Sequence, residues 1–178
     1  MRGMAKTETE QDHVDRFLET LRERLPGLDL DVEGIVDRIH GLNRRFRRMM
    51  ESTLADHGLT YEEWTVLNAL HLSGPPFRLS PGKLSKRLEL TSGAMTARLD
   101  RLEEADLVRR LPDPDDRRGL RVELTDEGKR AFQQAVGAQA EKEAFVAAAL
   151  TDTEKDELNA LLRRLMLQFE SIEPDPKK

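Results

Sequence analysis

Two short runs of this 178-residue chain hold side chains that could do chemistry. In the first, TSGAMTARLDR, hydroxyls stand at Thr91, Ser92 and Thr96 and guanidiniums at Arg98 and Arg101. Hydroxyl and guanidinium groups can read hydrogen-bonding patterns on base edges, and small residues such as Gly93 and Ala97 let a backbone come close to them. Met95, Leu99 and Leu102 share the opposite helical face and are expected to pack inward. The start of a helix also carries partial positive charge that favours a phosphate. An ordinary amphipathic helix with a polar outer face has the same pattern; the next segment of the chain separates the two readings.

That second run is DPDDRRG, in which Asp113, Asp115 and Asp116 flank Arg117 and Arg118. An arginine at a hairpin tip suits a narrow minor groove, where negative potential is concentrated. A neighbouring carboxylate can orient its guanidinium. A calcium loop fails on spacing, since Arg117 and Leu124 stand where later ligands are needed. A solvated charged turn is the other reading of these residues.

Catalysis finds no support. There is no nucleophile motif and no glycine-rich phosphate loop. Cysteine is absent, which excludes disulfides and thiolate metal sites within this chain, and His13, His40, His57 and His71 lack tight ligand spacing. The expectation is a non-enzyme with no metal and no cofactor.

The elements that must position these runs are marked by periodicity and capping. Val14, Phe17, Leu18, Leu21 and Leu25 mark a helix ended by Pro26-Gly27. A long helix spans about Val32 to His57, with Ile35, Val36, Ile39, Leu42, Phe46, Met49, Met50 and Leu54 as its stripe and Gly58 as its stop. Thr60 and Glu63 form a capping box, with Leu59 and Trp64 as a hydrophobic staple, for a helix reaching Leu72. Ser80-Pro81 opens a short helix to about Leu88, and Thr91 or Ser92 caps the next, Gly93 to about Ala105. Leu107–Leu111 and Leu120–Leu124 read as a hairpin. Thr125 caps an Ala-rich helix to about Ala149, and Thr151 with Glu154 opens a last helix to about Phe169. The order is helix, turn, helix, hairpin: a mainly α fold, a winged helix-turn-helix between long N- and C-terminal helices. That device puts one helix in a major groove and a wing on the adjacent minor groove.

Net charge is −5, yet residues 80–121 hold ten Lys or Arg against eight Asp or Glu, so positive charge is sorted towards the winged module. No apolar run approaches the roughly 20 residues of a membrane span, and the N-terminus has no signal-peptide pattern; a cytoplasmic protein without membrane contact is expected. The expected division is a loose tail at 1–11, N-terminal helices at 12–58, the winged module at 59–124, C-terminal helices at 125–171 and a flexible tail at 172–178.

The stretch SPGKLSKRLELTSGAMTARLDRLEEADLVRRLPDPDDRRGLRVELTDEG resembles the core of the MarR family of transcription regulators. Asp116-Arg117-Arg118-Gly119 is similar to that family's wing motif, and LTDEG to its entry into a long dimerisation helix. The resemblance, which covers roughly Ile35 to Phe169, implies a two-fold dimer through the helices at Val32–His57, Asp126–Ala149 and Asp152–Phe169. It also implies a repressor on a pseudo-palindromic operator of double-stranded DNA. Ser92, Thr96 and Arg101 would then meet bases, Lys83 and Arg98 phosphates, and Arg118 the minor groove, with Thr91, Gly93 and Arg117 alongside. Many such proteins release DNA on binding a small molecule; His40, Arg44, Trp64 and Asn68 are the candidates for such a site. The first helix, RIHGL and GPPFRLSPGKL are most similar to the urate-responsive branch, but Leu21 stands where that branch has Trp and Thr65 where it has Asp. The alternative function is a winged-helix module that docks protein rather than DNA.

Overall fold

The computed structural model describes residues 11–114 and 119–172. The expected tails, apart from Gln11 and Ile172, and the wing residues Arg117 and Arg118 lie outside the described residues. The chain divides into two compact units, residues 1–52 and 53–178.

In the first unit, α1 (His13–Arg24) packs on the early turns of α2 (Leu30–Asp56). Asp12 and Asp15 form a capping box at the start of α1, and both carboxylates also accept from Arg38 of α2, Asp15 at 2.6 Å. Gly34 is buried beneath α1: a β-carbon there would stand 3.3 Å from Leu18. Most of the expected apolar stripe of α2 is uncovered in the single chain. Ile35, Val36, Ile39, Leu42 and Phe46 are exposed, and only Met50 and Leu54 of the stripe are buried.

The second unit takes in the end of α2, where Gly58 at φ +67° lets Leu59 N–H return to the Leu54 carbonyl at 2.9 Å. Helix α3 (Tyr61–His71) starts at the Thr60–Glu63 capping box, as its sequence predicts. A two-residue strand β1 (Arg78–Leu79) precedes α4 (Pro81–Arg87), capped by Ser80 with Pro81 at its first position. Thr91 caps α5 (Ser92–Glu104) by accepting from Ala94 N–H. Strands β2 (Val108–Pro112) and β3 (Leu120–Leu124) form the hairpin. The sheet order is β1-β3-β2, all antiparallel, so the expected hairpin is in fact the larger part of a three-stranded sheet. Helices α6 (Asp126–Ala147) and α7 (Asp152–Ile172) complete the unit.

Leu67, Leu70, Leu84, Met95, Leu99, Leu102, Val108, Val122 and Leu124 are almost fully enclosed and form the core on which α5 and the sheet rest. Phe132 of α6 seals one side, its ring between those of Trp64 and His71. Trp64 also meets the Tyr61 ring, while its expected staple partner Leu59 is buried. Helix α6 enters this unit at a very close approach, since a β-carbon on Gly128 would lie 1.9 Å from the Leu107 carbonyl oxygen. By contrast α7 buries no residue, and Leu158, Leu161, Leu162, Leu165 and Phe169 face outward.

Candidate nucleic-acid interface

The outer face of α5 is built in two halves with different chemistry. At its N-terminal half Thr91, Ser92, Gly93, Ala94, Thr96 and Ala97 are all exposed, while Met95, Leu99 and Leu102 are each 1% exposed and anchor the helix. A β-carbon on Gly93 would meet nothing within 4 Å, so no packing requirement within the chain explains a glycine in this first turn. What the glycine does is leave the backbone of an exposed helix start bare. The Thr91 hydroxyl is engaged in capping, and the Thr96 hydroxyl donates to the Ser92 carbonyl at 3.0 Å. A hydroxyl retains acceptor capacity in that arrangement. Ser92 stands at the first helical position.

The C-terminal half of α5 is occupied with ion pairs. Arg101 Nε donates to Glu63 Oε1 at 2.9 Å. On the other flank Arg110 of β2 reaches Asp100 at 2.6 Å and Glu103 at 2.5 Å, and its backbone N–H also donates to Glu103. Burial pulls the Arg110 guanidinium down, but these two carboxylates more than reverse it and its pKa is raised. Asp100 and Glu103 are thus held by β2, so their charge is partly neutralised where a polyanion would approach.

Lys83, Lys86 and Arg87 are exposed on α4, and Arg98 is half-buried on α5. Beneath them the sheet carries a second ionic cluster. Glu123 of β3 lies in register with Arg78 of β1 and Arg109 of β2, and accepts from both. Burial pushes the Glu123 carboxyl up, yet the two guanidiniums outweigh that and its pKa is lowered. At the base of the wing Arg121 Nε donates to Asp113 at 2.5 Å.

Thr91, Ser92, Gly93 and Thr96 are brought together at one exposed helix end, as their spacing predicts. Arg101, expected to face bases, is paired with Glu63. Of the ligand candidates, His40 and Arg44 are exposed on α2 in the first unit. Trp64 and Asn68 are half-buried, one turn apart on α3 in the second, and Trp64 Nε1 is a buried donor without an acceptor. Sequence reading misses Glu63 as a partner of Arg101, Arg110 as a clamp on α5, and the Arg78–Glu123–Arg109 cluster. These partners are 7 to 45 residues apart in sequence, and no local periodicity signals them. Only register and helix packing do.

Comparison with known proteins agrees with this geometry. A family model described as "MarR family" matches residues 57–119, the stretch from the end of α2 to the wing. The chain is 31% identical over 131 residues to the multiple antibiotic resistance protein MarR of Escherichia coli K12, covering 72% of this chain and 88% of that protein. It is 29% identical over 152 residues to the transcriptional regulator PecS of Dickeya dadantii, covering 85% and 92%. Among solved structures it is similar to a mutant MarR from E. coli complexed with operator DNA, at a TM-score of 0.59 and 27% identity, covering 82% of this chain and 96% of that one.

Proposed function

The chain belongs to the MarR family of transcription regulators, and from that premise we propose that it acts as a homodimeric repressor that grips a pseudo-palindromic operator with the N-terminal end of α5. The observation that carries this reading is the bare, exposed start of α5, where a β-carbon on Gly93 would meet nothing within 4 Å and Thr91, Ser92 and Thr96 are exposed beside it. Lys83 and Arg98 meet phosphates in this reading, and Arg117 and Arg118 enter the minor groove. The uncovered stripes of α2 and α7 support a second copy as their cover. Fully burying a leucine or phenylalanine contributes about 1.5–3 kcal/mol; Leu158, Leu161, Leu162, Leu165 and Phe169 of α7 are 40–56% exposed, so covering them supplies about half of that each. Two-fold symmetry then places the half-sites about one helical turn apart.

In this reading a small-molecule effector lies against α3, where Trp64 and Asn68 are half-buried one turn apart and Trp64 Nε1 is a buried donor without an acceptor. The protein works in the cytoplasm in this reading, and no described helix is long and apolar enough to cross a membrane.

The test is a footprint on the DNA upstream of the chain's own gene across a salt series. A protected pseudo-palindrome with steeply salt-dependent affinity is expected, and Arg118→Ala should weaken it at every salt concentration. Absence of protection at low salt on that fragment and across a genomic library would favour the protein-docking alternative.

A further inference from the structure

The ion pair between Glu63 and Arg101 has a role that the DNA-binding reading does not assign. Three observations define it. First, Glu63 is 9% exposed and does two jobs at once: Oε2 accepts from Thr60 N–H at 2.9 Å in the capping box, while Oε1 accepts from Arg101. Burial pushes its carboxyl up, but the Thr60 N–H and the Arg101 guanidinium prevail, so it is held ionised. Second, at 3.6 residues per turn Arg101 falls about 80° round the helix from Gly93 and about 14 Å along the axis from Ser92. Asp100 and Glu103 fall on the other flank, where Arg110 holds them. Third, the pair lines a cleft of about 370 Å³ between the start of α3 and the end of α5, with Gly58, Leu59, Leu102 and Leu107.

We propose that Arg101 is a positioning residue: with Glu63 it clamps the C-terminal half of α5 to the capped start of α3, and so sets the angle at which the free N-terminal half meets DNA. Were Arg101 to leave for a phosphate or a base, Glu63 would keep a nearly buried carboxylate with no cation beside it, and such a group is costly to leave unpaired. Arg110 makes the matching hold from β2. The recognition helix is therefore fixed at its rear on both flanks, by α3 and by the wing strand, and presents only its front.

This inference rests on the DNA-binding reading for its consequence, so its test has one arm without DNA. Full-length Arg101→Gln, Glu63→Gln and the double variant are compared with the parent. Gln at position 63 still provides the capping acceptor, so the fold is expected to persist, with helical circular dichroism as the check. In the first arm, hydrogen exchange of the amides at 98–105 is measured on the free protein. Both single variants should exchange faster there, by a similar factor. In the second arm, operator affinity is measured against salt. Each single variant should lose roughly 3- to 30-fold, a span typical of residues that act through position. The double variant should be no worse than either, and the slope of log affinity against log salt should be unchanged.

A direct DNA contact gives another pattern. Arg101→Gln alone would lose affinity, with the salt slope falling by about one if it meets a phosphate, or with preference relaxed at a single base pair if it meets a base. Glu63→Gln would then be neutral or bind more tightly. That outcome overturns the clamp, as does unchanged exchange at 98–105 in both single variants. Failure of every form to bind any DNA would instead sink the functional reading and leave the exchange result standing.

Discussion

Replacing Gly128 by alanine should damage this protein far more than one methyl group normally does. Gly128 is the third residue of α6 and lies buried against the turn between α5 and β2. Its added β-carbon would stand 1.9 Å from the Leu107 carbonyl oxygen and 2.9 Å from the carbonyl carbon, where real contacts stay beyond 3.0 Å. The obstacle is backbone, so no side-chain rotation relieves it. The helix start must back away from the turn, which stretches two bonds that dock it: Thr125 N–H to the Leu107 carbonyl at 3.2 Å, and the Thr125 hydroxyl to the Asp106 carbonyl at 2.6 Å.

Overpacking of this kind costs about 1–3 kcal/mol. Each weakened hydrogen bond adds up to about 0.5–1.5 kcal/mol. The better helix propensity of alanine returns about 1 kcal/mol. The net loss is about 1–5 kcal/mol, centred near 3, or roughly 2–20 °C in melting temperature for a chain of this length. The assay is thermal and urea unfolding at fixed protomer concentration, because association makes the midpoint concentration-dependent. Gly82→Ala is the control, since a β-carbon at that exposed position of α4 meets nothing within 4 Å and should be neutral or slightly stabilising. If Gly128→Ala melts within about 1 °C of the parent at matched concentration, the close approach of α6 to the turn does not exist and the reasoning fails.

Three further outcomes are expected. Gly93→Leu should leave the melting temperature nearly unchanged, because the position is open, yet abolish operator protection by blocking approach of the α5 backbone; retained protection in a footprint would remove α5 from the interface. Glu123→Gln should destabilise the fold by about 1–3 kcal/mol, below the range for fully buried pairs because Arg78 and Arg109 are partly solvated. The Glu123 pKa is lowered from 4.5 on folding, so its contribution is present above pH 4.5 and is lost as pH falls through the lower folded value. Melts of parent and variant should therefore converge in acid, and a gap that persists to low pH would contradict the assignment. Leu161→Lys with Leu165→Lys on α7 should shift sedimentation from dimer to monomer or unfold the chain, and an unaltered dimer would mean that another surface associates.

Much of this protein is decided locally. Thr60 with Glu63, Ser80-Pro81, Thr91, Thr125 and Thr151 with Glu154 each start a helix because a side-chain oxygen can satisfy amides three residues on, and the structure has helices at all five. The inward face of α5 is equally local, since Met95, Leu99 and Leu102 recur at the helical period. The polar front of the same helix is then settled by exclusion. Strand β1 is not legible, because two residues carry no periodicity and Arg78-Leu79 is a strand only where β3 lies beside it. Nor is the fate of the charges. Arg101 and Arg110 look alike to Lys83 in sequence, but packing brings Glu63, Asp100 and Glu103 within reach of their guanidiniums, and an ion pair turns a prospective contact into part of the frame. Spacing along the chain determines which residues share a face of one element; which charge meets which is decided by contacts between elements, and those depend on how the core brings the elements together.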